Sequence, residues 1–268
     1  MSHIYTVSEG TSPLILSQPH PGTQLAPGME DRLTEAALQL PDTDWHIPDL
    51  YADMARDLSA TVVQTHYSRY VIDLNRDPGG VSLYPGQSVT ELCTTTLFDG
   101  SPLYQDGQEP DAAEIEDRKQ TYWQPYHDAL AAQIARVKAQ HGYALVYDCH
   151  SIRSVVPRFF EGALPMLNLG TGGGSSAAPE LTQCLDQTLA NGDYSYVING
   201  RFKGGFITRH YGTPADNVHA VQMEIAQTAY MEEVHPFDWR EDKASSLKPH
   251  LKTLLETMIA WGRNTYGS

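Results

Sequence analysis

Cysteine is scarce in this chain: three in 268 residues (Cys93, Cys149 and Cys184), with no CxxC spacing among them. An odd, scattered set makes a disulfide scaffold unexpected and fits a reducing cytoplasm. Positive charge is scarce too, with 18 Lys and Arg against 33 Asp and Glu and a formal net charge of −15. Nucleic acid and anionic lipid both demand a basic face, so neither is an expected partner. No apolar run approaches the ~18 residues of a membrane-spanning helix. The opening residues MSHIYTVSEGTSP lack the basic-then-apolar pattern of a secretory signal. The expectation is a cytoplasmic protein that does not engage membranes.

Compact chemical signatures are missing as well. There is no HExxH, and neither Cys149 nor Ser151 lies in GxSxG. The loop GTGGGSS at 170–176 lacks the lysine of a phosphate-binding loop, and no GxGxxG leads into a helix. That stretch reads better as a loop near a site than as a nucleotide cradle.

What remains is ordinary globular composition, 41% hydrophobic, with Gly 21 and Pro 17 pointing to many ordered loops. LILS before Pro-His-Pro-Gly, TVVQT, RYVIDL, YALVYD, YSYVING and GGFITRHYG read as strand-like runs. Between them, TDWHIPDLYADMARDL repeats Leu50, Met54 and Leu58 every four residues, with Pro48 suited to a first helical turn. A long helical pattern spans 113–142, interrupted near Pro125 and stopped by Gly142, and further helices are expected at LTQCLDQTLANG and at the C-terminal SLKPHLKTLLETMIAWGRN. Residues 79–112 form a Gly/Pro/Thr-rich excursion of the kind that builds binding loops. Strands alternating with helices predict an α/β fold with a largely parallel or mixed sheet, and nothing in the composition divides residues 1–268 into more than one domain.

In open α/β sheets, chemistry gathers at the carboxyl ends of strands. His20 follows LILSQP, Asn75-Arg76 follows YVIDL, and His150 follows ALVYD. Two neutral imidazoles and one carboxylate leave an open position on zinc, and an acidic segment, DTDWH, lies after the first histidine. Asp148, two residues before His150, suits a supporting role. Cys149 alternates to the opposite strand face, which places His150 poorly as its base. Glu224 sits inside the apolar run VQMEIA, where a carboxylate is costly without a partner or a task, and a general base beside an activated water is one such task. Arg76 and Arg209 offer planar forks that match carboxylates in a chain otherwise short of positive charge.

The ordered blocks SQPHPGTQL, TDWH, SRYVIDLNRDP, PYHDAL, DCHS, FKGGFITRHYG and VQMEIAQTAYM resemble the N-formylglutamate amidohydrolase family of histidine degradation, from about residue 13 to 234. That family is related to the zinc carboxypeptidases and to the aspartoacylase group, which share a DLNR-type element. The resemblance implies a phosphorylase/hydrolase-like, three-layer αβα fold with a mixed central sheet, one zinc ion, and hydrolysis of N-formyl-L-glutamate. Carried over residue by residue, it implies His20 and His150 as metal ligands and a third, carboxylate ligand at Asp44. His46 and Asp49 are the alternatives, because Thr23 stands where a compact HxxE would place a glutamate. It further implies Glu224 as the catalytic glutamate, with Asn75, Arg76 and Arg209 holding a substrate carboxylate. Two other readings remain open: a related zinc acylase with a different acyl preference, or a metal-free binding protein for a dicarboxylic amino acid.

Overall fold

The computed structural model describes residues 4–80 and 90–267. Its strands are β1 (Tyr5–Ser8), β2 (Leu14–Gln18), β3 (Thr61–Thr65), β4 (Ala144–Ile152), β5 (Leu167–Gly170), β6 (Tyr196–Ile198) and β7 (Val218–Ala226). They form one mixed sheet in the order β1-β3-β2-β4-β7-β5-β6. The inner pairs β3/β2, β2/β4 and β4/β7 are parallel, as is β5/β6, whereas β1/β3 and β5/β7 are antiparallel. The helices are α1 (Glu35–Leu38), α2 (Ile47–Asp57), α3 (Ala112–Arg118), α4 (Gln124–His141), α5 (Pro179–Ala190), α6 (Phe206–Tyr211) and α7 (Glu241–Tyr266).

Strands β2, β4 and β7 are buried along their whole length, as parallel strands covered on both faces must be. Alternation then sorts their side chains. Leu14, Leu16, Leu145, Tyr147 and Cys149 enter one apolar cluster with residues of α2, α5 and α7, including Leu50, Leu181 and Leu251. Ile15, Ala144 and Val146 enter a second cluster with Tyr126, Leu130 and Val137 of α4. The result is the three-layer αβα arrangement that the family resemblance implies. Among the described residues, no helix is long and apolar enough to cross a membrane.

Two expected strands take other forms. RYVIDL is a turn-rich loop: Val71 N–H donates to Ser68 O, Arg76 N–H to Asp73 O, and Asn75 N–H to the Asp73 side chain. These local bonds replace a ladder. Tyr70, Val71, Ile72 and Leu74 are nevertheless buried in the α4-side cluster, which explains the strand-like apolar run. The FITRHY stretch is helix α6, and its first N–H groups are satisfied from far away in sequence. Phe206 N–H donates to Asn75 O and Ile207 N–H to Asn75 Oδ1. Conversely, Leu167–Gly170, which is not among the expected strands, is a buried strand leading into the glycine-rich loop. In the long helical pattern, a π-helical turn at Lys119–Trp123 precedes Pro125, which then falls in the first turn of α4. Of the excursion at 79–112, residues 81–89 lie outside the described residues.

The turn that carries His20 depends on close backbone approach. A Cβ on Gly22 would fall 2.3 Å from Tyr67 O and 2.5 Å from the His66 carbonyl carbon. Backbone cannot yield as a side-chain tip can, so Gly22→Ala is expected to cost about 1–3 kcal/mol of stability by overpacking. Chemical denaturation measures this, and an unchanged midpoint would remove Gly22 from the account of how the turn is held.

Candidate metal centre and its cavity

Parallel register brings the polar residues of three strand ends to one place. β4 and β7 align so that His150 lies opposite Glu224 and Asp148 opposite Gln222. These four alternate onto the α4-side face, and Cys149 alternates onto the other, where it is fully buried. Burial pushes its thiol pKa well above the ordinary value, which disfavours the thiolate a nucleophile needs. His150 lies within β4, which continues to Ile152, so the strand carries it directly. His20 arrives two residues after β2 ends.

The third participant, Asp44, precedes α2. Its N–H donates to His20 O, and Ile47 N–H donates to Asp44 O, so the helix start and the histidine turn are stitched together. His46 takes a left-handed φ of 61° at the helix N-terminus. Its Nε2 lies 2.8 Å from Phe237 O, and its ring meets Trp239 edge-on. Asp49 is exposed, with its side chain 75% accessible. The two alternatives to Asp44 therefore stand apart from the histidine pair.

His20 Nδ1 lies 3.1 Å from His150 Nδ1, His150 Nδ1 lies 3.0 Å from Asp44 Oδ2, and His20 Nδ1 lies 3.7 Å from Asp44 Oδ2. Ligand atoms about 2.0–2.1 Å from a tetrahedral ion stand about 3.3 Å from one another, so the triangle already has the right size. Each imidazole is oriented by a carboxylate on its far side: Asp73 Oδ1 at 2.8 Å from His20 Nε2, and Asp148 Oδ2 at 2.9 Å from His150 Nε2. A proton on each Nε2 leaves each Nδ1 to present a lone pair to the common point. Asp148 Oδ1 is itself held by Ser17, whose hydroxyl donates at 2.9 Å.

Electrostatics favour a cation here. Burial alone would lower the pKa of His150, yet Asp148 and Asp44 raise it well above the usual imidazole range. Burial would raise that of Asp44, but hydrogen bonds with His150 and His20 hold it far below the carboxylate norm. Burial likewise opposes ionisation of Asp73, and Arg76, His20 and Arg69 outweigh it. The same buried carboxylates that favour a proton on His150 would favour a cation bound in its place. Asp44 Oδ1, buried and without a hydrogen-bond partner, is a further donor atom at that point. The described residues contain this one group, His20, Asp44 and His150, able to hold a metal ion with three ligands of the type seen in open catalytic sites.

The histidines line a cavity that is partly open to solvent. Glu224 lines it from β7, only 7% accessible. Burial pushes its carboxyl up to about 8, with the His150 charge opposing the shift and that of Asp44 adding to it. Arg69, Arg76 and Arg201 line the cavity, as do Phe98, Phe159 and Phe202. Arg69 donates to Asp73 Oδ2 at 2.7 Å, lies 3.6 Å from Asp44 Oδ1 and covers the Phe98 ring. Arg76 is fixed by Thr90, to which its Nε and Nη2 donate at 3.0 and 2.9 Å.

Of the three expected substrate-holding groups, Asn75 and Arg76 line the cavity and Arg209 does not. Asn75 reaches the cavity, but its amide joins elements: Nδ2 donates to Asp148 at 3.2 Å, while Oδ1 accepts from Ile207 N–H at 2.8 Å. Arg209 is not among the cavity residues. Because its segment is helical, it sits in α6, where its Nε donates to Gly204 O at 2.8 Å. The 170–176 loop also stays out of the lining and is tied to Asn199 Oδ1 through Thr171 and Gly173 N–H groups. Sequence reasoning missed Asp73, Arg69, Arg201 and Gln222. A signal existed for Asp73, a carboxylate within the apolar run VIDL just as Glu224 lies within QMEI. Gln222 shares a strand face with Glu224 by period-two alternation. No comparable local pattern marks the two arginines.

Loss of a ligand should exceed the ~10–100-fold cost of losing an outer partner. Asp44→Ala should therefore weaken zinc uptake by the metal-stripped protein by at least that factor, while His46→Ala and Asp49→Ala retain it. Equilibrium dialysis with elemental analysis reads this directly, and equal uptake by Asp44→Ala would exclude Asp44 as a ligand.

The sequence profile of the N-formylglutamate amidohydrolase family matches residues 12–231. The chain is 49% identical over 267 residues to proteins named N-formylglutamate deformylase from Pseudomonas aeruginosa and Pseudomonas putida, covering 99% of this chain and 100% and 99% of theirs. Among solved structures, the N-formylglutamate amidohydrolase of Ralstonia eutropha JMP134 superposes with a TM-score of 0.81 at 21% identity, over 97% of this chain and 99% of that one. A gene product of Agrobacterium tumefaciens does so with a TM-score of 0.75 at 17% identity, over 97% and 96%. Those two likenesses bear on the fold, and the sequence matches bear on descent: the chain belongs to the N-formylglutamate amidohydrolase family.

Proposed function

We propose that this protein hydrolyses N-formyl-L-glutamate to formate and L-glutamate, with a zinc ion held by His20 Nδ1, His150 Nδ1 and Asp44 Oδ2. The observation that carries the reading is the convergence of those three atoms beside a cavity lined by both histidines, Glu224 and three arginines. The names of the 49% identical relatives support the substrate. A zinc ion bound there would supply Lewis-acid chemistry, polarising an amide carbonyl and making a water more acidic near neutral pH.

The chain's own groups supply the rest. Glu224 takes the proton of the attacking water on its carboxylate and delivers it to the amide nitrogen as the C–N bond breaks, leaving formate and a free amine. Arg69, beside Asp44, offers N–H donors where negative charge develops on the formyl oxygen. Arg76 and Arg201 provide the planar forks that glutamate carboxylates require. Gathering guanidinium groups at one cavity gives an anionic substrate a local attraction that the −15 net charge does not offer elsewhere. Phe98, Phe159 and Phe202 limit the water that can compete for these contacts.

Formate release from N-formylglutamate, measured with and without a chelator, tests the proposal. Activity is expected to disappear on metal removal and return with zinc, and chelator-insensitive hydrolysis would sink the metal reading. Comparison with N-acetyl- and N-succinyl-glutamate separates a deformylase from a broader acylase. General acid–base catalysis contributes about 10²–10⁴-fold. Glu224→Gln should accordingly lose turnover on that scale while keeping its metal, and Cys149→Ala should remain active. Near-wild-type turnover by Glu224→Gln would remove Glu224 from the role of base.

A further inference from the structure

Glu224 is a single carboxylate on a buried wall, and proton transfer needs its two oxygens in fixed places. Among the described residues, the hydrogen bond to its side chain comes from Gln222, whose Nε2 donates to Glu224 Oε2 at 3.1 Å. A glutamine amide can rotate by half a turn and present oxygen instead of nitrogen, which would set lone pair against lone pair. Here that rotation is opposed from the other end. Gln222 Oε1 accepts from Gly205 N–H at 2.7 Å and lies 3.4 Å from Asn75 Nδ2. Two donors define the oxygen end, so the NH₂ end faces Glu224. Gln222 is itself 4% accessible and lies opposite Asp148 in the strand register, so its own rotamer is confined.

Gly205 is equally constrained. A Cβ there would fall 2.4 Å from Asn75 Nδ2 and 2.5 Å from Asn75 Oδ1, so the backbone packs directly on the Asn75 amide. Asn75 in turn holds the start of α6 and Asp148. A continuous set of contacts thus runs from the Arg201–Gly205 side of the cavity, through Gln222, to Glu224.

We propose that Gln222 is a positioning residue for this reaction. It fixes Glu224 Oε2 with an amide whose orientation is locked by Gly205 N–H, and so leaves Glu224 Oε1 as the oxygen presented to water. The proposal rests on Glu224 being the general base. It assigns Gln222 no contact with the reacting atoms.

Two variants separate the two ends of the amide. Gln222→Met keeps the length and removes both bonds. Gln222→Glu keeps an oxygen for Gly205 N–H and removes the donor to Glu224. Misplacing a reacting group by about 1 Å can cost about 100-fold, so kcat for formate release should fall about 10- to 100-fold in both. Because substrate binding does not involve this bond, KM should stay within about twofold, with zinc content at the wild-type level. In a Glu224→Gln background, adding Gln222→Met should lower kcat no further, since its route of action is already gone. Crystal structures of wild type and the Gln222 variants should show the Glu224 carboxylate rotated from its wild-type position. Should Gln222→Met fail to fold, Gln222→Glu decides on the same readouts.

Wild-type kcat in Gln222→Glu, losses that multiply with Glu224→Gln, or an unmoved Glu224 carboxylate would each overturn the proposal. So would a raised KM at constant kcat. Absence of formate release by the wild type would sink the activity reading instead, and the crystallographic comparison would still decide whether Gln222 orients Glu224.

Discussion

The arrangement turns on a buried chain of imidazoles and carboxylates at the carboxyl edge of the sheet. Asp148 holds His150, His150 faces Asp44 and His20, and His20 is held by Asp73, which Arg69 neutralises. Every one of these groups is nine-tenths or more buried. Leaving any one of them unpaired in that environment would cost several kcal/mol. They come from the turn after β2, from β4, from the loop after β3 and from the segment before α2. The chain can satisfy the set only by bringing those four segments together, so the same constraint that shapes the candidate metal site also closes this end of the fold.

Asn75 shows how far that constraint reaches. One side chain supports Asp148, accepts the Ile207 N–H of α6 and packs against Gly205. A residue that the family resemblance associates with substrate lines the cavity and also joins the candidate metal site to the helix beyond it. Arg69 is similar: it balances the charge of Asp73 and Asp44 and also covers an aromatic wall of the cavity. The contacts that hold this end of the fold and those that line the cavity thus draw on the same side chains.

The fold class was legible from alternation and from turn residues. LILSQ and ALVYD are buried strands as read, the apolar run VQMEIA is a third, and the TDWHIPDL segment begins its helix with Pro48 in the first turn. The errors share one cause. RYVIDL and FITRHY have β-branched and aromatic composition, yet the first is held in turns by Asp73 and Ser68, and the second is a helix started by Asn75. Local propensity was overridden by hydrogen bonds whose partners the local pattern does not identify. Glu224 and Asp73 could be singled out because a carboxylate inside an apolar run is costly. Arg69 and Arg201 could not, because an arginine in a loop is ordinary until something surrounds it.

The amino-acid sequence by itself determined the α/β class, the acidic character, the family and the residue types from which a metal centre could be built. Periodicity, charge and motif order are properties of the chain and need no coordinates. Tertiary structure decided which carboxylate completes the group with His20 and His150. It set Asp44 against the histidine pair and turned His46 towards Phe237. It also took Arg209 out of the cavity and put Arg69 and Arg201 into it. The physical reason is the same throughout: ligand sets and cavities depend on distances between segments far apart in the chain, and those distances are fixed by strand order and register, which the local pattern of residues does not contain.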